Sequence, residues 1–152
     1  MRRIILSAAL VMATAVSAKA ETVYVGNAFV DFVSGGTTCT QTFAVGDFFR
    51  VAFRPGGAAF GNGASSHLAA TGTRAAVVLR VEGGSFQTPQ NYAGQIVSST
   101  LTIGSYSGGI TVWEQTAGNE LGVATLKIRG RFSNFFKLTG CFVELRGKLL
   151  IR

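Results

Sequence analysis

Through residues 121–152 apolar and polar side chains alternate in two long runs, and a period of two is the pattern of a half-buried strand rather than a helix. In the earlier run Gly122, Ala124, Leu126, Ile128 and Phe132 share a face, with Leu121, Val123, Thr125, Lys127, Arg129 and Arg131 on the other. In the later run Cys141, Val143, Leu145, Leu149 and Ile151 fall together, against Phe142, Glu144, Arg146, Lys148 and Arg152. A two-residue turn at Ser133-Asn134 pairs the runs antiparallel, with Phe132 opposite Phe135, Leu126 opposite Cys141 and Ala124 opposite Val143. A slip of one residue would set the basic row against the apolar row, so the turn must be of even length, two residues or four. Lys137 and Phe142 fit this scheme poorly, the first falling inward and the second outward.

The preceding residues continue the theme. Glycine, valine, threonine and phenylalanine dominate after residue 20, and no amphipathic stretch of period 3.6 occurs. Residues 23–33 read as a first strand, with Tyr24, Ala28, Val30 and Phe32 on one side and Val25, Asn27, Phe29 and Asp31 on the other. After Gly35-Gly36 a threonine-rich strand is predicted over 37–44. If its Cys39 faces inward, Gln41 and Phe43 share that face, and a buried Gln41 would need a partner. Phe49, Val51 and Phe53 alternate through 48–54 until Pro55, which has no amide hydrogen for a ladder. Residues 56–66, with Phe60 and Asn62, read as a glycine-rich loop without the spacing of a phosphate cradle. Strands are expected at 67–70, at 74–82 (Ala75, Val77, Leu79 and Val81 inward), at 96–103 (Val97, Leu101 and Ile103 inward) and at 110–115. Their connections are a long loop at 83–95 with Phe86 and Tyr92, a tight connection at 105–109 and a turn at Ala117-Gly118-Asn119. The fold class is therefore all-β: a single antiparallel domain of eight or nine strands, with a small closed barrel favoured over a β-sandwich because the last arm is long.

Residues 1–20 read as a signal peptide. Arg2 and Arg3 are followed by an apolar run and by Ala18-Lys19-Ala20 as a cleavage site, which leaves 21–152 as the mature domain. The general secretory route is expected, with the paired arginines raising the twin-arginine route as the alternative. The apolar run is too short to span a bilayer and none follows it, so the mature chain has no transmembrane span. Lysines and arginines on the outward rows argue against an outer-membrane barrel. Three of the fourteen basic residues leave with residues 1–20 and none of the seven acidic ones does, so the formal charge falls from +7 to +4. That modest value, with no run of like charge, gives no case for nucleic acid as a partner.

Two cysteines in an exported chain allow one internal bridge, Cys39 to Cys141, tying an early segment to the last strand. The catalytic inventory is thin. His67 is the only histidine, and although Ser65, Ser66, Asp31 and Asp47 can be written beside it as triad members, no nucleophile elbow accompanies them. Glu114 and Glu144 are candidates for a carboxylate pair, with solvated surface charges the simpler reading. One histidine and scattered carboxylates offer no metal-ligand spacing, and no cofactor is expected.

What remains is a basic strip. Lys127, Arg129 and Arg131 alternate on one face, Arg146, Lys148 and Arg152 continue it, and Phe136 and Phe142 stand between charges. Such a strip suits acidic polysaccharide or anionic lipid headgroups, or serves only to keep strand surfaces soluble. The leading expectation is a non-catalytic exported domain that binds an anionic surface through the strip or a small apolar ligand inside a barrel. Its rivals are a subunit that self-associates through strand edges and an enzyme that uses His67 with a carboxylate.

Overall fold

The computed structural model describes residues 21–57, 63, 65–73, 75–83, 86–98 and 103–152. The readings of residues 1–20, Phe60, Asn62, Arg74 and Leu101 fall outside that set. Among the described residues eight strands form one antiparallel sheet: β1 (Tyr24–Ser34), β2 (Phe48–Arg54), β3 (Ser66–Thr71), β4 (Ala75–Val81), β5 (Gln90–Ser98), β6 (Ile103–Glu120), β7 (Val123–Ser133) and β8 (Phe142–Ile151). Each strand pairs with the next, and β1 also pairs with β8 from Tyr24↔Ile151 to Ser34↔Phe142, so the sheet closes on itself as a barrel.

The interior is filled by alternate side chains. Phe53, Leu68, Leu79, Tyr92, Ile110, Phe132, Phe135, Leu145 and Leu149 are each less than 2% exposed or at that limit, and rings supply most of the volume. Phe53 packs on Phe86 and Trp113 at one end (centroids 5.5 and 5.4 Å), and Phe43, Phe49 and Phe135 cluster at the other (5.3 and 6.3 Å). Gly130 makes room for this packing, since a Cβ there would stand 2.7 Å from the Phe132 ring and 2.9 Å from Trp113.

Residues 37–44 overturn the strand expected there. Thr37–Thr42 is a short helix, α1, with Cys39 as its buried residue. Threonine hydroxyls here bond back to the chain, Thr42 Oγ1 to the Thr38 carbonyl at 2.6 Å and Thr40 Oγ1 to Thr37 at 3.2 Å, the local competition that weakens threonine's preference for strands. The helix points Gln41 to solvent, which removes the buried amide that a strand would have required. Cys39 and Cys141 are joined by a disulfide across 102 residues, with Cα atoms 5.3 Å apart, and this ties α1 to the start of β8.

Four other boundaries move. The loop expected at 83–95 is cut short because β5 starts at Gln90, and Tyr92 and Phe86 are core residues at 2% and 3% exposure. The strand expected at 96–103 is two strands, paired through Val97↔Ile103. No tight connection interrupts 105–109, which lies within the 18-residue β6. The turn falls at Leu121-Gly122 rather than at 117–119; Gly118 is a place of close approach, where a Cβ would lie 2.9 Å from Thr125 Oγ1.

In the closing hairpin the faces hold but the register does not. Phe132 pairs with Val143 and Leu126 with Leu149, a shift of eight positions from the pairing a two-residue turn would give. Because eight is even, the apolar rows still face together. The added length is a connection with a 3-10 turn at Phe135–Lys137, which takes Lys137 out to solvent and drops Phe135 into the core. A register shift at Asp31 turns Phe32 from the predicted inner face to the outer one, opposite Glu144, as an extra residue in one strand must. Ile151, read as inward, is 42% exposed.

Candidate functional site

Closure of the sheet sets β6, β7, β8, β1 and β2 side by side, and their outward residues form two cross-strand rows. One runs Glu114, Arg129, Arg146, Phe29, Phe48; the other runs Thr116, Lys127, Lys148, Asn27, Arg50. Between them lies a shallow groove of about 750 Å³, lined by Phe29, Asn27, Lys127, Arg129, Arg146 and Lys148 among others. The five cations expected at the site are thus on one face, four of them at this groove, with Arg131 one step along β7 toward the disulfide end. Phe136 is not among them: it belongs to the 3-10 turn and packs on Phe43 at 5.8 Å.

The strip is not a row of bare charges. Glu144, read as a solvated surface carboxylate, is 1% exposed. Its Oε1 accepts from Arg129 Nε at 2.6 Å, and its Oε2 accepts from Arg131 Nε at 2.9 Å and Nη2 at 2.8 Å. Burial pushes this carboxyl up, but the hydrogen bonds and charges of Arg129 and Arg131 outweigh it and hold it below the ordinary glutamate value. In turn, the hydrogen bond to Glu144 raises Arg129. Arg131 also lies over the exposed Phe32 ring, 4.3 Å from its centroid.

Around this fixed centre the other pairs are superficial. Arg129 Nη1 reaches Glu114 at 3.2 Å, Arg146 reaches Asp31 at 2.8 Å, and Lys148 pairs with Glu120. Each of these has a carboxylate 41–61% exposed, and such pairs contribute little. Lys127 makes no ion pair among the described residues, and it faces Lys148 directly as Arg129 faces Arg146. Like charges opposed across neighbouring strands destabilise a sheet.

The triad candidates are not brought together. His67 sits on β3 between Arg54 of β2 and Arg80 of β4, its Nδ1 3.4 Å from Arg54 Nη1. Burial and these two guanidiniums lower its pKa. Ser65 donates to Glu82 at 2.7 Å, and the buried Ser66 hydroxyl accepts from the Gly56 amide. Asp31 is held by Arg146, and Asp47 accepts from the Ala44 amide at 2.8 Å. Glu114 and Glu144 do meet, but on one guanidinium, and a carboxyl held low is the reverse of what a general acid requires. No group of three or more metal-ligating side chains occurs among the described residues.

Asn27, Phe29 and Arg50 were legible only as outward residues of their strands. Their place beside the basic row follows from β1 pairing with β8 across the whole chain. No family model, no curated protein and no solved structure matches this chain. Among the described residues no helix is long and apolar enough to cross a membrane, and the disulfide fits an oxidising compartment.

Proposed function

We propose that the protein is an exported, non-catalytic binding domain whose outer groove takes up an acidic polysaccharide. The observation that carries this reading is the pair of like-charged oppositions, Lys127 to Lys148 and Arg129 to Arg146, on the wall of a groove that also offers Phe29 and Asn27. An anionic ligand relieves that repulsion, a half-exposed ring stacks on a sugar face, and an amide serves its hydroxyls. The weak pairs of Arg146 and Lys148 exchange readily for ligand oxygens, while buried Glu144 keeps Arg129 and Arg131 in place without asking them to reorganise.

The test is retention of the 21–152 chain on an immobilised acidic polysaccharide as salt is raised. Wild type should elute progressively earlier with salt, and the double variant K127E/K148E should bind at least about tenfold more weakly. Retention that ignores both salt and the substitutions would end the proposal. Preference for vesicles of anionic lipid over polysaccharide would move the ligand to a headgroup.

A further inference from the structure

At the disulfide end of the barrel a second space opens that shares no lining residue with the groove, although Phe48 on its wall packs on Phe29 of the groove at 5.6 Å. The β1–β2 connection, the β3–β4 turn and the β7–β8 connection meet around a cleft of about 260 Å³. Phe43, Phe48, Phe49 and Phe136 line it together with Val77, and among the described residues Asp47 is the one ionisable side chain on its wall. Phe43 and Phe136 stand at 85° with centroids 5.8 Å apart, so the two rings form a corner. Phe49 lies 6.4 Å from Phe43 and continues the wall.

Two features bear on what this wall offers a ligand. Asn134, Phe136 and Lys137 all take left-handed backbone (φ 53°, 58° and 63°), a conformation that non-glycine residues adopt only where the surroundings enforce it. The Gly140 amide donates to Asn134 Oδ1 at 2.9 Å and fixes that connection, which carries the Phe136 ring. Asp47, for its part, accepts one hydrogen bond from the Ala44 amide and makes no ion pair among the described residues.

We infer that this cleft binds a small organic cation with a quaternary, fully methylated ammonium group. Ring faces are electronegative and attract a cation, while the carboxylate supplies the opposite charge. A primary ammonium would lose hydrogen bonds to water that phenylalanine walls cannot replace. A methylated one has no such bonds to lose, and its charge lies under an apolar surface. The volume is close to the roughly 300 Å³ at which drug-sized pockets begin, so the cleft suits a compact group.

The experiment is a calorimetric titration of the 21–152 chain with choline and, in parallel, with 3,3-dimethylbutan-1-ol, the neutral compound of the same shape. Choline should bind saturably and at least about tenfold tighter than its isostere. D47N keeps an oxygen for the Ala44 amide but not the charge, and should bring choline down to the level of the isostere. F48A removes a ring that is already 42% exposed, so it should weaken choline about threefold to tenfold, with a fall in Tm limited to the lost edge contact with Phe29. K127E/K148E should leave choline binding unaltered. Equal affinity for both compounds, indifference to D47N, absence of saturable binding, or loss of binding in K127E/K148E would each overturn the assignment.

Discussion

Glu144 shows how far one side chain can depart from its place in a pattern. Alternation puts it on the outer face of β8, yet it is buried because Arg129 and Arg131 of β7 close over it and Phe32 of β1 lies opposite. No local signal announces this, since the covering groups come from two other strands. The guanidiniums are themselves about one-third exposed (34% and 31%), so the pair is worth less than a fully buried one. Glu144→Gln should therefore lower stability by about 2 kcal/mol near neutral pH, measured by urea unfolding. The pH dependence follows from the lowered carboxyl in the folded state. Its stabilisation is fully present above the ordinary value near 4.5 and is lost as pH falls through the lower folded value. The gap between wild type and variant should close over that acid window, and a constant gap would show that the ion pairs do not supply it.

Among the elements, the β6–β7 hairpin turns at residues that its sequence does not advertise. Leu121 and Gly122 both have positive φ (51° and 83°), the requirement of a two-residue type I′ turn, for which Asn-Gly is the favoured pair. A leucine there is strained, and it is fully exposed, so it packs on nothing. The Gly122 amide donates to Asn119 Oδ1 at 3.0 Å and helps to hold the turn. Leu121→Asn should raise stability by about 1 kcal/mol, seen as a Tm increase of about 4 °C. A fall in Tm would mean that Leu121 has a partner in the folded state. Gly118-Asn119 is not the turn, for a physical reason: glycine marks close approach as well as turns, and the neighbour, Thr125, tells which.

For the whole molecule the decisive bond is Cys39 to Cys141. It closes a loop spanning 102 positions and fastens α1, which buries little of its own beyond Cys39, to the last strand. In the chain-entropy account a loop of this length contributes roughly 4–5 kcal/mol. The C39A/C141A variant should lose up to that amount in denaturant unfolding. A barrel that stays cooperative with α1 detached, followed by hydrogen exchange of residues 37–42, would show that the sheet closes without the bridge. Loss of the closing β1–β8 pairs would show that it does not.

By itself, the sequence determined the local matters: which residues face inward along β2, at Val77, Leu79 and Val81 of β4 and through most of β7 and β8, that the chain is all-β, and which two sulfurs pair. These follow from alternation, from valine and phenylalanine on a pleated surface, and from there being only two cysteines. Tertiary structure alone decided the register of the last hairpin, the helix at Thr37–Thr42, the burial of Glu144 and the company of Asn27 and Phe29 beside the basic row. The burial of Glu144 and the company of Asn27 and Phe29 depend on contacts between residues far apart in the chain, while the helix and the hairpin register turn on how short connecting segments fold. A pattern of period two fixes the face of a side chain but is blind to which strand lies alongside it.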